Sequence, residues 1–169
     1  MSRLLNEWRI KHVELSFKDR PALLDVDGRT LEVEGRIDRI DFNESTGQYA
    51  VFDYKTGDSA KPPDKVHRET DGRWIDLQLP LYRLLLASMG IPNADLGYIL
   101  LPRDPGGTGL VMAEWTEAEL GGAMETARRV VADIWGGKFD MAVEPPKFDD
   151  FADICGVDRL VSAMVEEEE

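Results

Sequence analysis

The stretch that decides the fold is GRIDRIDFNESTGQYAVFDYKTG, Gly35 to Gly57. Residues 30–42 (TLEVEGRIDRIDF) read as one long strand, and residues 48–55 (QYAVFDYK) as a second, because β-branched and aromatic residues recur at short period in both. Between them, Asn43-Glu44-Ser45-Thr46-Gly47 carries the residue types that hairpin loops favour. Upstream, residues 11–18 (KHVELSFK) alternate as a further strand, and residues 20–27 lead into a turn at Asp27-Gly28. Taken together, these pieces predict an antiparallel meander.

Downstream of Lys55 the pattern changes. Residues 56–73 are polar and Pro-bearing, a long irregular loop of the kind that carries function. WIDLQLPLYRLLLASMG then reads as a helix stopped by Gly90, with Pro92 beyond; Pro80 requires it to start about a turn earlier, near Asp76. Residues 95–102 and 109–115 form two short strands around the turn Asp104-Pro105-Gly106-Gly107. Thr116, with Glu119 three residues on, opens a helix that runs to about Trp135 before Gly136-Gly137. A Pro-rich acidic tail follows from Lys138, with one short helix expected at 158–166. Strands, a helix, two strands and a helix make a mixed α/β sheet with helices packed on it.

The residues able to do chemistry gather on these elements. Asp53 and Lys55 share a strand face, with Tyr54 opposite, and an apolar run leads into them. A carboxylate and an ammonium at the end of a buried strand cost desolvation energy unless they pair or bind something, and a plain ion pair is one reading of them. Asp38, on the preceding strand, comes near Asp53 if the two strands pair. Two carboxylates held close repel unless a proton or a cation lies between them, and oxygen-only ligation with open water positions suits Mg²⁺. The alternative for Asp38 is a surface salt bridge with Arg36 or Arg39. Gln78 and Tyr82 lie four residues apart on one helix face. Tyr82 fits a core position with its hydroxyl at the rim; the Gln78 amide needs partners.

The run GRIDRID, then AVFDYKTG, then LQLPLYR closely resembles the RecB-like branch of the PD-(D/E)XK nucleases, above all the C-terminal nuclease domain of AddB-type helicase–nuclease subunits. The resemblance extends from about Val13 to about Arg159. It implies an α/β core of restriction-endonuclease type, a central mixed sheet of about five strands flanked by helices, spanning residues 1–169 as a single nuclease domain. It also implies Mg²⁺ or Mn²⁺ held by Asp38, Asp53 and the backbone carbonyl of Tyr54. Lys55 becomes the catalytic lysine, orienting the attacking water or stabilising negative charge, with Gln78 and Tyr82 beside it. The implied activity is that of a deoxyribonuclease, an exonuclease trimming linear or single-stranded DNA ends in break repair, with a helicase or helicase–nuclease subunit as partner. The alternative is a nuclease-fold module that no longer cuts and serves as a DNA-end clamp or scaffold.

The chain departs from that pattern in two places. The branch carries a metal-ligating histidine on a helix upstream of the first strand, and this sequence reads as a fragment that starts after it. His12 and His67 stand elsewhere, read as solvent-accessible or locally bonded imidazoles. AddB-like relatives close the domain with an iron–sulfur cluster held by C-x₂-C-x₅-C and an upstream cysteine; here Pro146 and Asp149 occupy the first two positions and only Cys155 remains. Four thiolates are needed, so no cluster is expected, and Phe148 and Phe151 are the expected anchors of the tail.

Charge sets a further bound. A net charge of −13 argues against a protein that coats nucleic acid by bulk electrostatics, though not against an enzyme whose clustered carboxylates take a cation. The run Glu166 to Glu169 reads as a solvated tail. Arg36, Arg39, Lys61, Lys65, Arg68 and Arg73 are the candidates for phosphate contacts, each with solvated surface charge as its alternative. No apolar run approaches the ~20 residues that span a bilayer, and no secretory signal is visible, so a cytoplasmic location without membrane contact is expected.

Overall fold

The computed structural model describes residues 7–57 and 61–138. The chain divides into a body, residues 1–136, and a second unit, residues 137–169, of which only Gly137 and Lys138 are described. The helix expected at 158–166, Phe148, Phe151, Cys155 and the terminal glutamates lie outside the described residues.

The body is built on a mixed five-stranded sheet in the order β1-β4-β5-β6-β7. Its strands are β1 (Trp8–Ser16), β4 (Arg36–Asn43), β5 (Tyr49–Lys55), β6 (Ala94–Leu100) and β7 (Gly109–Met112). β2 (Ala22–Val26) and β3 (Arg29–Val33) form a separate hairpin. The long strand expected over 30–42 is therefore two strands, broken at Glu34-Gly35. The break has a tertiary cause: the Gly35 carbonyl accepts the Phe17 N–H at 2.8 Å, and a Cβ at Gly35 would stand 2.9 Å from Leu85. The simple meander is corrected too. β1 pairs antiparallel with β4 because β2 and β3 close on each other through Asp27-Gly28, whose φ values of 52° and 76° fit the two-residue turn favoured by hairpins.

β4 and β5 pair antiparallel, whereas β5 and β6 are parallel and need a crossover. The crossover holds α1 (Pro63–His67), a short helix inside the expected loop, and α2 (Gln78–Ala87). α2 starts two residues later than Asp76. Pro80 is its third residue, so its missing N–H is one that no helical carbonyl would have received. The Asp76 carboxylate accepts the Gln78 N–H at 2.7 Å and seats this first turn.

The core lies between α2 and the sheet: Leu79, Tyr82, Leu85 and Leu86 pack with Ile37, Ile40, Val51, Leu96 and Tyr98. A smaller cluster joins Leu24 and Val26 of β2 to Ala127 of α3 (Glu117–Trp135). The bounds of α3 match the sequence expectation because its start is local chemistry: Thr116 accepts the Glu119 N–H while the Glu119 carboxylate accepts the Thr116 N–H. β7 is shorter than expected and stops at Met112. Among the described residues no helix is long and apolar enough to cross a membrane.

Candidate active site

β5 runs through the middle of the sheet, and Ala50, Val51, Phe52 and Asp53 are all buried. Its ladder with β4 ends at Arg39↔Phe52, so Asp38 and Asp53 stand just past the last pair. On the other side β5 stays paired with β6 as far as Lys55↔Leu100. The Tyr54 N–H, left without a β4 partner in the ladder, donates to Asp38 Oδ2 at 3.2 Å. This brings Asp38 beside Asp53.

The surface salt bridge considered for Asp38 is not what forms. Arg36 pairs with Glu14 at 3.1 Å, and Arg39 makes a two-pronged bond to Asp41, 2.7 Å on each prong. The Asp41 carboxylate holds the Arg39 guanidinium above its usual range, and the Tyr54 hydroxyl adds to this.

Asp53 and Lys55 share their face as the strand period requires, with Lys55 Nζ 2.8 Å from Asp53 Oδ2. Gln78, at the start of α2, closes the cluster. Its Nε2 donates to Asp53 Oδ1 at 2.9 Å and to the Tyr82 hydroxyl at 3.1 Å, and its Oε1 accepts from Lys55 Nζ at 3.4 Å. The amide has one sensible orientation, since a carboxylate only accepts and an ammonium only donates. The partners that Gln78 needed on an apolar helix face are these three side chains. Burial, then the negative charge of Asp53, pushes the Tyr82 hydroxyl up to about 12, so it stays protonated through the neutral range.

Asp53 Oδ2 is buried, and among the described residues the Lys55 ammonium is its partner and counter-charge. Among the described residues no group of three or more His, Cys, Asp or Glu side chains is arranged to hold a metal. A cation here would rest on two carboxylates and backbone or water oxygens, a donor set that Mg²⁺ accepts.

Sequence reading passed over a second layer. His67 of α1 is fully buried rather than on the surface. Its Nδ1 lies 2.9 Å from the Asp76 carbonyl and its Nε2 2.6 Å from the Tyr98 hydroxyl. Tyr98 pairs with Asp53 in the parallel register, and its ring lies 4.8 Å from Lys55 Nζ. A tyrosine inside the apolar run of β6 was a signal that a buried hydroxyl needed a partner; nothing in the sequence named His67 as that partner.

An open cleft of about 410 Å³ adjoins the cluster, lined by Tyr54, Lys55, Thr56, Gly57, Lys61, Val66 and Tyr98. Lys61 is thus the nominated cation that reaches it, and Lys65 stands on the exposed side of α1. Arg68 is committed elsewhere, to Glu119 at 2.5 Å and Asp64 at 3.5 Å, and Arg73 lies 3.9 Å from Asp71. His12 sits on the edge strand β1 opposite Ile40, away from this cluster.

A family model for the PD-(D/E)XK nuclease superfamily matches residues 2–159, and the chain belongs to that family. Its members are typically metal-dependent nucleases. The mixed sheet flanked by helices is consistent with the family's fold. Among solved structures the chain is similar to the crystal structure of SSO0001, at 19% identity and a TM-score of 0.40, over 82% of this chain and 53% of that one. The chain thus spans about half the length of that structure. Comparison with curated proteins finds no match.

Proposed function

We propose that the chain hydrolyses phosphodiester bonds in DNA with the aid of Mg²⁺ or Mn²⁺, held by Asp38, Asp53 and the backbone carbonyl of Tyr54. The observation that carries this reading is Asp53 Oδ2, a buried carboxylate oxygen met by the Lys55 ammonium at 2.8 Å, on a side chain adjoining a second aspartate. When bound, such an ion lowers the pKa of a water and draws charge off a phosphoryl oxygen. The chain's own groups do the rest. Lys55 orients the attacking water or stabilises the charge that grows on the phosphate. Gln78 fixes Asp53 and Lys55 relative to each other, and Tyr82 anchors Gln78.

The finer reading is an exonuclease that trims linear or single-stranded DNA ends in the cytoplasm, as the nuclease part of an AddB-type repair helicase–nuclease. The order and spacing of GRIDRID, AVFDYKTG and LQLPLYR support it. In this reading residues 1–169 act as a single nuclease domain, and Cys155 alone gives no basis for an iron–sulfur cluster. The rival is a module that clamps or scaffolds DNA ends without cutting. The observation on its side is that only two carboxylates, and no third metal-ligating side chain among the described residues, face the site.

The test is degradation of linear DNA, single- and double-stranded, in Mg²⁺, Mn²⁺ or EDTA, with Asp53→Ala as control. Metal-dependent loss of DNA that vanishes in Asp53→Ala is the expected result. Cleavage retained by a well-folded Asp53→Ala protein sinks the site assignment. DNA binding without cleavage under any metal transfers the reading to the clamp.

A further inference from the structure

We infer that His67 and Tyr98 are a positioning pair for Lys55: the Tyr98 ring is the seat of the Lys55 ammonium, and His67 locks that ring in place. The inference rests on the nuclease reading only for its kinetic consequence; the geometry stands apart from it.

Three observations bear on it. First, the hydrogen-bond pattern fixes the imidazole. The Asp76 carbonyl only accepts, so Nδ1 carries the proton and donates to it at 2.9 Å. Nε2 is then a bare acceptor, and the Tyr98 O–H donates to it at 2.6 Å. Burial lowers the His67 pKa, which keeps this neutral tautomer. Second, the Tyr98 ring faces the ammonium 4.8 Å away, within the range of a cation–π contact. A phenol that donates to an imidazole is polarised towards a more electron-rich ring, which strengthens the seat. Third, His67 holds both sides of the cluster. Its backbone carbonyl accepts from Ile75 and Asp76, and the Asp76 carboxylate seats the Gln78 N–H. Trp115, edge-on to the imidazole at 5.2 Å, closes the remaining side. A core position needing only bulk would be filled by an apolar side chain with no desolvated nitrogen to satisfy.

The experiment compares His67→Leu, which removes both ring bonds, with His67→Gln, which returns an acceptor towards Tyr98. Lysine labelled with ¹³C reports the Lys55 ε-methylene resonance, assigned by its disappearance in Lys55→Arg. In the parent protein this resonance is expected upfield, shifted by the ring current of Tyr98. The expected result is loss of that shift in His67→Leu, its recovery in His67→Gln, and a fall in kcat on DNA of about tenfold in His67→Leu with KM unchanged. If His67→Leu fails to fold, Tyr98→Phe keeps the ring and removes the lock, and the resonance is expected to move there as well. An unmoved Lys55 resonance in either folded variant overturns the inference. If no protein of the series cleaves DNA, the nuclease reading fails, and the resonance still decides the positioning.

Discussion

Replacing Lys55 with methionine separates what this lysine does for stability from what it does for chemistry. The ammonium is 2.8 Å from a carboxylate oxygen that has no other partner among the described residues, on a side chain only 7% exposed. Two unit charges near 4 Å attract by about 4 kcal/mol at an effective dielectric of ~20. The Lys55 side chain is 32% exposed, so water screens a large part of this, leaving about 2 kcal/mol. Against that gain stands the charge left behind, since breaking a buried pair from one side costs about 3–5 kcal/mol. Lys55→Met is therefore expected to cost about 2–4 kcal/mol in EDTA. Saturating Mg²⁺ is expected to shrink the loss below about 1 kcal/mol, because a cation at Asp53 Oδ2 supplies the missing charge and binds only the folded chain. The double variant Asp53→Asn/Lys55→Met is expected to regain most of the loss without metal, the buried charge being gone. Urea unfolding of the three proteins in EDTA and in Mg²⁺ measures this directly, with the m-value as a check that the unfolding reaction is unchanged. An equal cost in both buffers, or a cost under about 0.5 kcal/mol in EDTA, would refute the proposal that Asp53 takes a cation.

Two further perturbations probe the frame. Gly97→Ala places a Cβ 2.8 Å from the Val111 carbonyl oxygen and 3.0 Å from Met112 Sδ, so the β6–β7 ladder must give way; a loss of about 1–3 kcal/mol in chemical unfolding is expected. Gly35→Ala is the contrast, for its Cβ meets only the tip of the Leu85 side chain, and a thermal midpoint falling as far as that of Gly97→Ala would contradict the packing described. At the cap of α3, the Thr116 N–H, then its hydroxyl, then Arg68 hold the Glu119 carboxyl down from 4.5 to about 2. A depressed carboxyl contributes stability that is full above the unfolded value and disappears as pH falls through the folded one. Glu119→Gln keeps a capping side chain, so it is expected to flatten the acid slope of the thermal midpoint between about pH 4.5 and 2; an unchanged slope would remove Glu119 from that role.

What could be read in advance was local. α3 was legible from end to end because a Thr–Glu box and a Gly-Gly stop lie within the helix they bound. Asp53, Lys55, Gln78 and Tyr82 were legible because strand and helix periods put each pair on one face, and one hairpin plus one crossover then joins the pairs. The break at Gly35 was not, since alternation runs straight through it and its cause is Phe17 and Leu85, remote in sequence. Short α1 escaped for the same reason. It starts on Pro62-Pro63 with no side-chain cap, and what fixes it is the burial of its last residue, His67. The His67–Tyr98 bond depends on the parallel register that sets Tyr98 opposite Asp53, and no spacing within either segment specifies that register.

The placement of the site follows from where the sheet stops being regular. β5 is hydrogen-bonded on both flanks through Phe52 and on one flank only beyond it. Past the end of the ladder the Tyr54 N–H donates to the Asp38 carboxylate rather than to a β4 carbonyl. Asp38 thus finishes the ladder with one oxygen. Because β5 and β6 are parallel, the chain must leave at Lys55 and return through a crossover, which delivers Gln78 and Tyr82 over the same strand end. This is the carboxyl end of the parallel pair, where open α/β sheets place their ligands. Two carboxylates, a lysine and an amide are assembled there by one interrupted ladder and one crossover.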